Sequence, residues 1–376
     1  MKTILHVGKF YPPVPGGMEH VVESLCHVNG GDVVNRALVF NAGPRTVAEV
    51  VEGIEVTRIG TIGAAGSVPI APGFPAALRR ARADAIVLHE PNPWALLSFT
   101  LARPRAPLAI WFHSEVVRPR LQYALFYHPV ARAAYREARR IVVSSPALAE
   151  HAAALTPHRD RITVIPFGLD VSRWVETPDR RARAAAIRAR IGDRPLLLFA
   201  GRMVPYKGVD VLLRAIAETD VTAVLVGHGP SRDRWQALAR ELNLDDRVTF
   251  AGEVAHESLA SLYHACDMFV LPSITRAEAF GYVQLEAMAC GKPVISTRLQ
   301  SGVPWVNRDG ETGITVPPRD AGALRDAIAT LAADSGLRAR MGAAGRARVA
   351  AEFSMTRMRH AVSAFYRDLL PESGHG

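Results

Sequence analysis

Two glutamates, Glu278 and Glu286, flank the start of a short helix predicted in the second half of the chain. A polar turn follows the apolar run MFVLPS, and the helix is predicted from about Gly281 to Cys290, where a glycine and a proline end it. A helix that begins on a glycine turn offers backbone N–H groups and the positive end of its dipole to a phosphate. With one carboxylate before this end and the other inside the helix, the arrangement suits a sugar joined through phosphate to a ribose. Taken alone, two such glutamates are more often solvated side chains of an amphipathic helix.

Two cations lie upstream in the segment GRMVPYKG. The apolar run PLLLFAG before it is typical of a buried strand, and the next helix is predicted from near Val209. Arg202 and Lys207 therefore project from the carboxyl end of a strand, which is where open α/β sheets bind ligands. Two fixed cations there suit a diphosphate and would neutralise the charge that develops as it leaves. Taken alone, an arginine and a lysine at the end of a strand are more often solvated than functional.

The elements that position these residues alternate between short apolar runs and helical stretches in both halves of the chain. This alternation predicts a parallel, doubly wound α/β sheet in each half. A polar, arginine-rich helix between Pro178 and Pro195 is interpreted as the connection between the halves, and an amphipathic helix is predicted from about Met355 to Leu370. The runs predicted as strands are TILHVG, NRALVF, IEVTRIG, DAIVLHE, APLAIWFH, RRIVVSS, RITVIPFG, and then PLLLFAG, TAVLVG, RVTFAG, DMFVLPS, KPVIST and TGITVP.

Composition limits the class of protein. The 376 residues suffice for two domains with separate cores, and 49% hydrophobic with 22% charged residues is typical of a soluble globular protein. Cys26, Cys266 and Cys290 form neither a CxxC pair nor a metal-ligand spacing. The N-terminus lacks a signal-peptide pattern, and no stretch approaches the roughly 20 apolar residues that span a bilayer. We therefore expect a protein that is neither secreted nor integral to a membrane.

The net charge of +9 indicates an acidic partner. No RNP, zinc-finger or helix-turn-helix signature is present, so nucleic acid is not the expected partner. Residues 118–140 hold six arginines and one glutamate, interleaved with aromatic residues. Such a segment suits an anionic membrane surface. An arginine-rich, solvated helix face accounts for it equally well, and both interpretations stay open.

Several short segments, taken in order, resemble the retaining glycosyltransferases of family 4. That family has the GT-B fold, an α/β architecture of two Rossmann-like doubly wound domains facing across a cleft, with a C-terminal helix that crosses back to the first domain. The resemblance implies an acceptor-binding domain at 1–172, a nucleotide-sugar-binding domain at 173–354 and a returning helix at 355–376. It runs nearly end to end, through PGGMEHVV, FHSE, VIPFGLD, GRMVPYKG, VGHGP, FAGEV and EAFGYVQLE.

The resemblance also implies roles for individual residues. Arg202 and Lys207 would hold the diphosphate of a nucleotide sugar. Glu286 would bind the ribose hydroxyls and Glu278 the hydroxyls of the transferred sugar. His113, at the end of the run APLAIWF, would lie near that sugar, where its imidazole or backbone carbonyl stabilises a cationic transition state. The other donor-binding residues that the resemblance implies are Gly16, Gly17, Gly227, Gly229, Val254, Phe280 and Gly281.

Weaker predictions concern the acceptor. Glu90 and Glu115 both follow predicted strands and are interpreted as partners of an acceptor hydroxyl. The glycine turn at 16–17 does not complete a GxGxxG pattern, so a nicotinamide site is not predicted. Residues expected to shape the acceptor side, or to lie close to the helix headed by Gly281, are His89, Asn92, Trp94, Ser301 and Gly302.

The reaction implied is transfer of a hexosyl group from a nucleotide diphosphate sugar to a hydroxyl, with retention at the anomeric carbon. Retention ordinarily indicates a carboxylate nucleophile, but no residue here is an obvious one. The resembling family is thought to react on the front face of the sugar, where the leaving phosphate takes the acceptor proton. No DxD-type metal motif stands in a convincing place, so neither a metal nor another cofactor is predicted.

The segments around EAFGYVQLE look most like bacterial mannosyltransferases and rhamnosyltransferases of surface polysaccharide assembly. This favours GDP-mannose as the donor and an undecaprenyl-diphosphate-linked saccharide as the acceptor. A cytoplasmic protein, peripheral at the inner face of the cell membrane, is then expected. A UDP-hexose donor, a GDP-deoxyhexose donor and a non-catalytic donor-binding partner of a biosynthetic complex stay open as alternatives.

Overall fold

The structure is a computed structural model. It describes residues 1–14, 16–28, 33–115 and 121–370, and for 121–126 the backbone alone. Within these ranges no helix combines the length and the apolar character that a bilayer crossing demands.

Contacts along the chain define two compact units. The first is Met1–Phe167 together with the chain from Thr356 onward, and the second is Gly168–Met355. The sequence placed the boundary after residue 172, whereas the second unit already includes Leu169. The reason is a backbone ladder, in which the Leu169 N–H donates to the Phe353 carbonyl at 2.7 Å and the Leu169 carbonyl accepts from the Met355 N–H at 3.1 Å.

The first unit is built on a mostly parallel sheet. The described strands of this unit, of which β5 and β6 pair with each other in a separate hairpin, are β1 Lys2–Val7, β2 Val33–Phe40, β3 Val47–Val51, β4 Ile54–Ile59, β5 Gly63–Ala65, β6 Val68–Ile70, β7 Ala85–Glu90, β8 Leu108–Phe112, β9 Arg140–Val143 and β10 Ile162–Val164. The sheet has the order β10–β9–β8–β7–β1–β2–β4–β3, and its one antiparallel pair is β3 with β4. Every residue of β7 and β8 is buried, as expected for parallel strands covered on both faces. The strand order reverses between β1 and β7, which is where such sheets form a ligand crevice.

Helices cover this sheet, and one of them comes from the end of the chain. The last helix, α14 (Met355–Leu369), joins the first unit through its buried Tyr366 and through Asp368, whose Oδ2 lies 2.7 Å from Arg140 Nε. This confirms the predicted amphipathic helix. The other described α-helices of the unit are α1 Gly17–Cys26, α2 Phe74–Arg80, α3 Pro93–Ala102, α4 Leu121–Glu137 and α5 Pro146–His151, with a 3₁₀ stretch at Ala153–Arg161.

The second unit is a six-stranded parallel sheet. Its strands are β11 Leu196–Ala200, β12 Thr222–Val226, β13 Val248–Gly252, β14 Met268–Leu271, β15 Val294–Thr297 and β16 Gly313–Val316. They follow the order β13–β12–β11–β14–β15–β16, which is the doubly wound dinucleotide-binding order. The carboxyl ends of β11 and β14 therefore flank the point where the strand order reverses. All six strands coincide with predicted apolar runs.

Eight α-helices accompany these strands: α6 Pro178–Ile191, α7 Val209–Ala217, α8 Arg232–Glu241, α9 His256–Ala265, α10 Val283–Ala289, α11 Val303–Val306, α12 Ala321–Ala333 and α13 Ser335–Glu352. Two 3₁₀ turns lie at Val171–Trp174 and Pro205–Lys207.

Two of these helices differ from their predictions. Helix α6, interpreted as a connection, is an integral part of the second unit, because the guanidinium of Arg180 lies 2.8 Å from the Glu257 carboxylate of α9. Helix α10 begins at Val283 rather than at Gly281. Gly281 itself has a φ of 73°, a left-handed conformation that ends the preceding turn and cannot be part of the helix.

Candidate active site

A buried ion pair lies at the carboxyl edge of the second sheet. Lys207 closes the 3₁₀ turn that follows β11, and Glu278 lies in the loop that follows β14. Lys207 Nζ is 2.6 Å from Glu278 Oε2, and the two side chains are only 9% and 10% exposed. The hydroxyl of Ser273 donates to the same carboxylate oxygen at 2.9 Å. The fold thus brings together two of the predicted catalytic residues and fixes the acid with a partner that the sequence did not reveal.

The charge of Lys207 is secured by its surroundings. Burial disfavours the ammonium form, but Glu278, together with Tyr206 and Glu286, outweighs this effect and raises the pKa of Lys207 above its ordinary value. The Tyr206 ring lies 5.9 Å from the nitrogen and adds a cation–π contact. An ammonium group has three N–H donors, so Lys207 can keep Glu278 and still bind phosphate oxygens.

Glu286 lies on α10, partly buried, and has its own partner. The Tyr263 hydroxyl donates to Glu286 Oε2 at 2.9 Å. Burial raises the pKa of Glu286 to about 7, against the opposing effects of the Tyr263 hydrogen bond and of the cations Arg173 and Lys207. Glu286 therefore titrates near neutral pH, which could not be expected from its place in the sequence.

The other predicted residues at this edge of the sheet differ in their surroundings. Arg202, the second predicted cation, is exposed at the end of β11. A Cβ on Gly227 would lie 2.0 Å from the Gly201 carbonyl oxygen, and one on Gly229 would lie 2.4 Å from that of Met203. These two glycines let the loops after β11 and β12 pack backbone against backbone. Their interpretation as ligand-binding residues stays a prediction beside this packing role.

An aromatic cluster supports the turn that carries Glu278. The buried ring of Phe280 lies 6.0 Å from the Phe353 ring and 6.3 Å from that of Trp305. The Gly302 N–H donates to the Ala279 carbonyl at 2.7 Å, which confirms that the loop at 301–302 lies beside this turn. The predicted backbone donation by Phe280 and Gly281 remains untested. So does the donor-binding role of Val254, which lies between β13 and α9.

The first unit contains a hydrogen-bonded row of aromatic side chains. His113 Nε2 lies 2.9 Å from His89 Nδ1, and His89 Nε2 lies 3.1 Å from His6 Nδ1. His6 Nε2 in turn lies 3.0 Å from the hydroxyl of Tyr366 on α14. The sequence singled out His113 and, more weakly, His89, but it missed His6 and Tyr366. No local pattern connects the two ends of the chain, so only the fold reveals this row.

Burial keeps the three imidazoles neutral. It lowers the pKa of His6 to about 4 and the pKa of His113 to about 3. The pKa of His89 is lowered well below its ordinary value by burial and by its two histidine neighbours. His113 is consequently a neutral hydrogen-bonding group at pH 7 and not a cation.

The two predicted acceptor-side glutamates are both engaged within the first unit. Glu90 is buried and accepts from the Tyr127 hydroxyl at 2.5 Å and from the Asn92 N–H at 2.8 Å. Burial raises the pKa of Glu90 to about 8. Glu115 accepts from the Ala153 N–H at 3.0 Å at the start of the 3₁₀ stretch. Their acceptor roles stay predictions.

The glycine turn before α1 faces a carboxylate of the same helix. A Cβ on Gly16 would lie 2.0 Å from Glu19 Oε2, whereas one on Gly17 would meet nothing within 4 Å. Burial raises the pKa of Glu19. The acid thus folds back over the N-terminus of its own helix, where a negative charge is favoured by the dipole.

The basic segment predicted to meet a membrane is described only in part. Residues 116–120 lie outside the described residues, and the side chains of α4 are described from Tyr127 onward. Tyr127 turns inward to Glu90, Tyr135 is buried, and Arg140 pairs with Asp368. Within the described ranges no three His, Cys, Asp or Glu side chains gather as metal ligands would.

Comparison with known proteins gives matches to both units. Residues 16–168 match the glycosyl transferase 4-like domain, and residues 181–348 match the glycosyl transferases group 1 domain. The chain is 31% identical over 329 residues to the D-rhamnosyltransferase WbpZ of Pseudomonas aeruginosa, covering 86% of this chain and 85% of WbpZ. It is 30% identical over 376 residues to the O-antigen chain mannosyltransferase C of Escherichia coli, covering 98% of each.

A solved structure has the same fold over nearly its whole length. Sucrose-phosphate synthase of Thermosynechococcus elongatus superposes with a TM-score of 0.81 at 25% identity, over 98% of this chain and 99% of that one. This likeness over the whole chain confirms the predicted GT-B fold.

Proposed function

This chain belongs to the group 1 glycosyltransferases, and we propose that within the family it transfers an α-mannosyl group from GDP-mannose to a hydroxyl of a lipid-linked saccharide, with retention and without a metal. The observation that carries the proposal is the buried pair of Lys207 and Glu278 at the sheet edge where β11 and β14 end. The mannosyl and rhamnosyl activities in the names of its two long relatives support the class of sugar. We propose that the acceptor is an undecaprenyl-diphosphate-linked saccharide, met at an anionic membrane surface by residues 118–140.

In the proposed reaction the bond between the anomeric carbon and the β-phosphate oxygen breaks, and that oxygen keeps the electron pair. Lys207 and Arg202 stabilise the charge that develops on the diphosphate. The acceptor oxygen forms the new bond on the same face of the sugar, and its proton passes to the departing phosphate. Glu278, aligned by Ser273 and Lys207, binds sugar hydroxyls, which positions the reacting carbon.

Glu286 completes the donor site in this proposal by accepting hydrogen bonds from the ribose hydroxyls. Its ionised form is the better acceptor, and a bound donor therefore favours loss of its proton near pH 7. The base of the nucleotide is not read by any of these side chains. A GDP-deoxyhexose donor is the second candidate, favoured by the 31% identity to a D-rhamnosyltransferase, and a UDP-hexose is the third.

The test is a donor screen with the full chain. GDP-mannose, GDP-fucose, GDP-rhamnose, UDP-glucose, UDP-galactose and UDP-N-acetylglucosamine are each assayed for a rise in melting temperature and for release of nucleoside diphosphate. A specific donor raises the melting temperature by mass action. We expect GDP-mannose to act in both assays, with release reduced at least a hundredfold in Glu278→Gln. The matched control is Glu241→Gln, which alters an exposed acid at the end of α8 in the same unit.

The outcomes separate the parts of the proposal. A response to GDP-rhamnose or to a UDP-sugar alone overturns the donor and keeps the site. Equal rates for Glu278→Gln and the control overturn the site. Transfer to a synthetic undecaprenyl-diphosphate saccharide, with the anomeric configuration read by NMR, tests acceptor and retention. Loss of activity in EDTA that Mg²⁺ or Mn²⁺ restores contradicts the metal-free mechanism.

A further inference from the structure

The hydrogen bonds of the row Tyr366–His6–His89–His113 permit only two arrangements of its protons. A neutral imidazole has one N–H donor and one lone-pair acceptor. Each contact in the row joins nitrogen to nitrogen or nitrogen to hydroxyl, at 2.9 to 3.1 Å. Each contact therefore needs one donor and one acceptor, and a choice at one contact fixes the next. All three bonds of the row must run in the same direction, and only two directions exist.

The contact at the far end of the row distinguishes the two directions. The Tyr366 hydroxyl also lies 3.3 Å from the Leu25 carbonyl, to which it can donate. If it does so, it accepts from His6 Nε2–H, and every imidazole carries its proton on Nε2. If it donates to His6 instead, the bond to Leu25 is lost and every imidazole carries its proton on Nδ1. The first direction has one more hydrogen bond, which favours it by about fivefold.

Packing against neighbouring rings keeps the imidazoles of the row from rotating away from their hydrogen-bonding partners. The His89 ring stacks against that of Trp111 at 6.1 Å, and the His113 ring stacks against that of Phe167 at 6.1 Å. His6 and His89 are completely buried, so water does not substitute for a missing partner. The row therefore transmits the choice made at Tyr366 to His113.

We propose that Tyr366, acting through His6 and His89, sets the tautomer of His113, so that His113 Nδ1 presents a lone pair to a hydroxyl of the sugar substrate. The three groups are positioning residues, because none of them needs to touch the substrate. Nδ1 is the ring nitrogen of His113 that the row does not use. In the opposite tautomer this atom is an N–H donor, which offers no acceptor to a hydroxyl proton.

The use of this lone pair in the reaction rests on the proposed function, whereas the tautomer itself does not. The first measurement is accordingly made without any substrate. In the full chain labelled with ¹⁵N in its histidine rings, long-range ¹H–¹⁵N correlation at pH 7 distinguishes Nε2–H from Nδ1–H. The three resonance sets are assigned by their disappearance in His6→Gln, His89→Gln and His113→Gln. We expect all three rings to be neutral with the proton predominantly on Nε2.

The second measurement removes only the hydroxyl at the start of the row. Tyr366→Phe keeps the buried ring and should raise the Nδ1–H fraction of His113, lower kcat by about fivefold and leave the KM for the nucleotide sugar unchanged. The control is Tyr11→Phe, which removes a hydroxyl from an equally buried ring of the same unit and should leave the histidine pattern intact.

A predominance of the Nδ1–H form in any of the three wild-type rings, or a doubly protonated ring at pH 7, overturns the proposal, and this result does not depend on whether Tyr366→Phe folds. An unchanged His113 tautomer in Tyr366→Phe overturns the part assigned to Tyr366. If no sugar donor is turned over while the Nε2–H pattern is found, the proposed function fails, but the control of the His113 tautomer by the row stands.

Discussion

Lys207 and Glu278 are bonded to each other as well as being predicted to bind a ligand. The 2.6 Å contact between Nζ and Oε2, together with the Ser273 hydroxyl, holds both side chains in place within a nearly closed environment. Loss of one partner leaves the other charge buried without compensation. Stability and catalysis at this site therefore respond differently to single and double substitutions.

We expect Lys207→Met to lower the free energy of unfolding by about 3 kcal/mol, because the Glu278 carboxylate is then buried and unpaired. The double variant Lys207→Met with Glu278→Gln removes both charges and should recover most of this loss. Both variants should retain less than about a hundredth of wild-type transfer activity, because the diphosphate loses a fixed cation. Urea unfolding and nucleoside diphosphate release measure the two effects. Additive losses of stability would contradict a coupled pair.

The affinity for the nucleotide should depend on pH through Glu286. Its pKa of about 7 in the free protein means that a ligand requiring the carboxylate must displace a proton at lower pH. Binding of the nucleoside diphosphate should weaken up to tenfold per pH unit below 7 and become constant above it. Calorimetric titration between pH 5.5 and 8.5 measures this dependence. Glu286→Gln should bind weakly with a flat profile, and an unaltered profile in that variant would assign the titration elsewhere.

Glu90 should make the first unit less stable as the pH rises. Its pKa is raised from 4.5 to about 8 by burial, so the folded state holds a proton that the unfolded state releases. The added stability is complete below about pH 4.5 and is lost as the pH rises through 8, a difference of up to about 5 kcal/mol. We expect Glu90→Gln to remove this slope, as read from the difference between variant and wild-type unfolding at each pH.

Tyr127→Phe provides the complementary test at the same site. The Tyr127 hydroxyl stabilises the ionised carboxylate of Glu90, so its removal should move the end of the slope to a higher pH. A parallel loss of stability at all pH values, without a shift, would mean that the tyrosine acts through packing alone.

Arg348 should matter for stability although it lies outside the predicted site. Its guanidinium donates to the carbonyls of Trp305 and Val306, pairs with Glu352 and lies 5.1 Å from the centre of the Phe353 ring. Arg348→Lys cannot reproduce this fork of bonds, and we expect a loss of about 2 kcal/mol. The control is Arg325→Lys, a partly exposed arginine paired with Glu218 and Asp326, with an expected change below about 0.5 kcal/mol.

The parallel strands could be predicted because strands buried on both faces are continuous apolar runs in the sequence. Strand β3 was missed for the opposite reason. Val47–Val51 lies at the edge of its sheet with four of its five residues exposed, so its composition carries little of the usual strand signal. The hairpin of β5 and β6 has only three residues on each side, too few for any period to show.

The candidate site was predictable as a set of chemical groups but not as a set of bonds. Strand ends identified Lys207 and Glu278 as neighbours of a ligand, yet nothing in the spacing indicated that they pair with each other. The partners Ser273 and Tyr263 were missed because a single hydroxyl in an apolar segment has no distinguishing pattern. Which hydroxyl meets which carboxylate is decided by helix and loop packing, and that information is not local to the chain.

The membership of α14 in the first unit has a consequence for synthesis of the protein on the ribosome. Gly168–Met355 is one uninterrupted stretch and can reach its native contacts as soon as it has emerged. The first unit, although translated first, must wait for Tyr366 before His6 has its hydrogen-bonding partner and before the surface that receives α14 is covered. The first unit therefore completes its fold only after the whole of the second unit has been made.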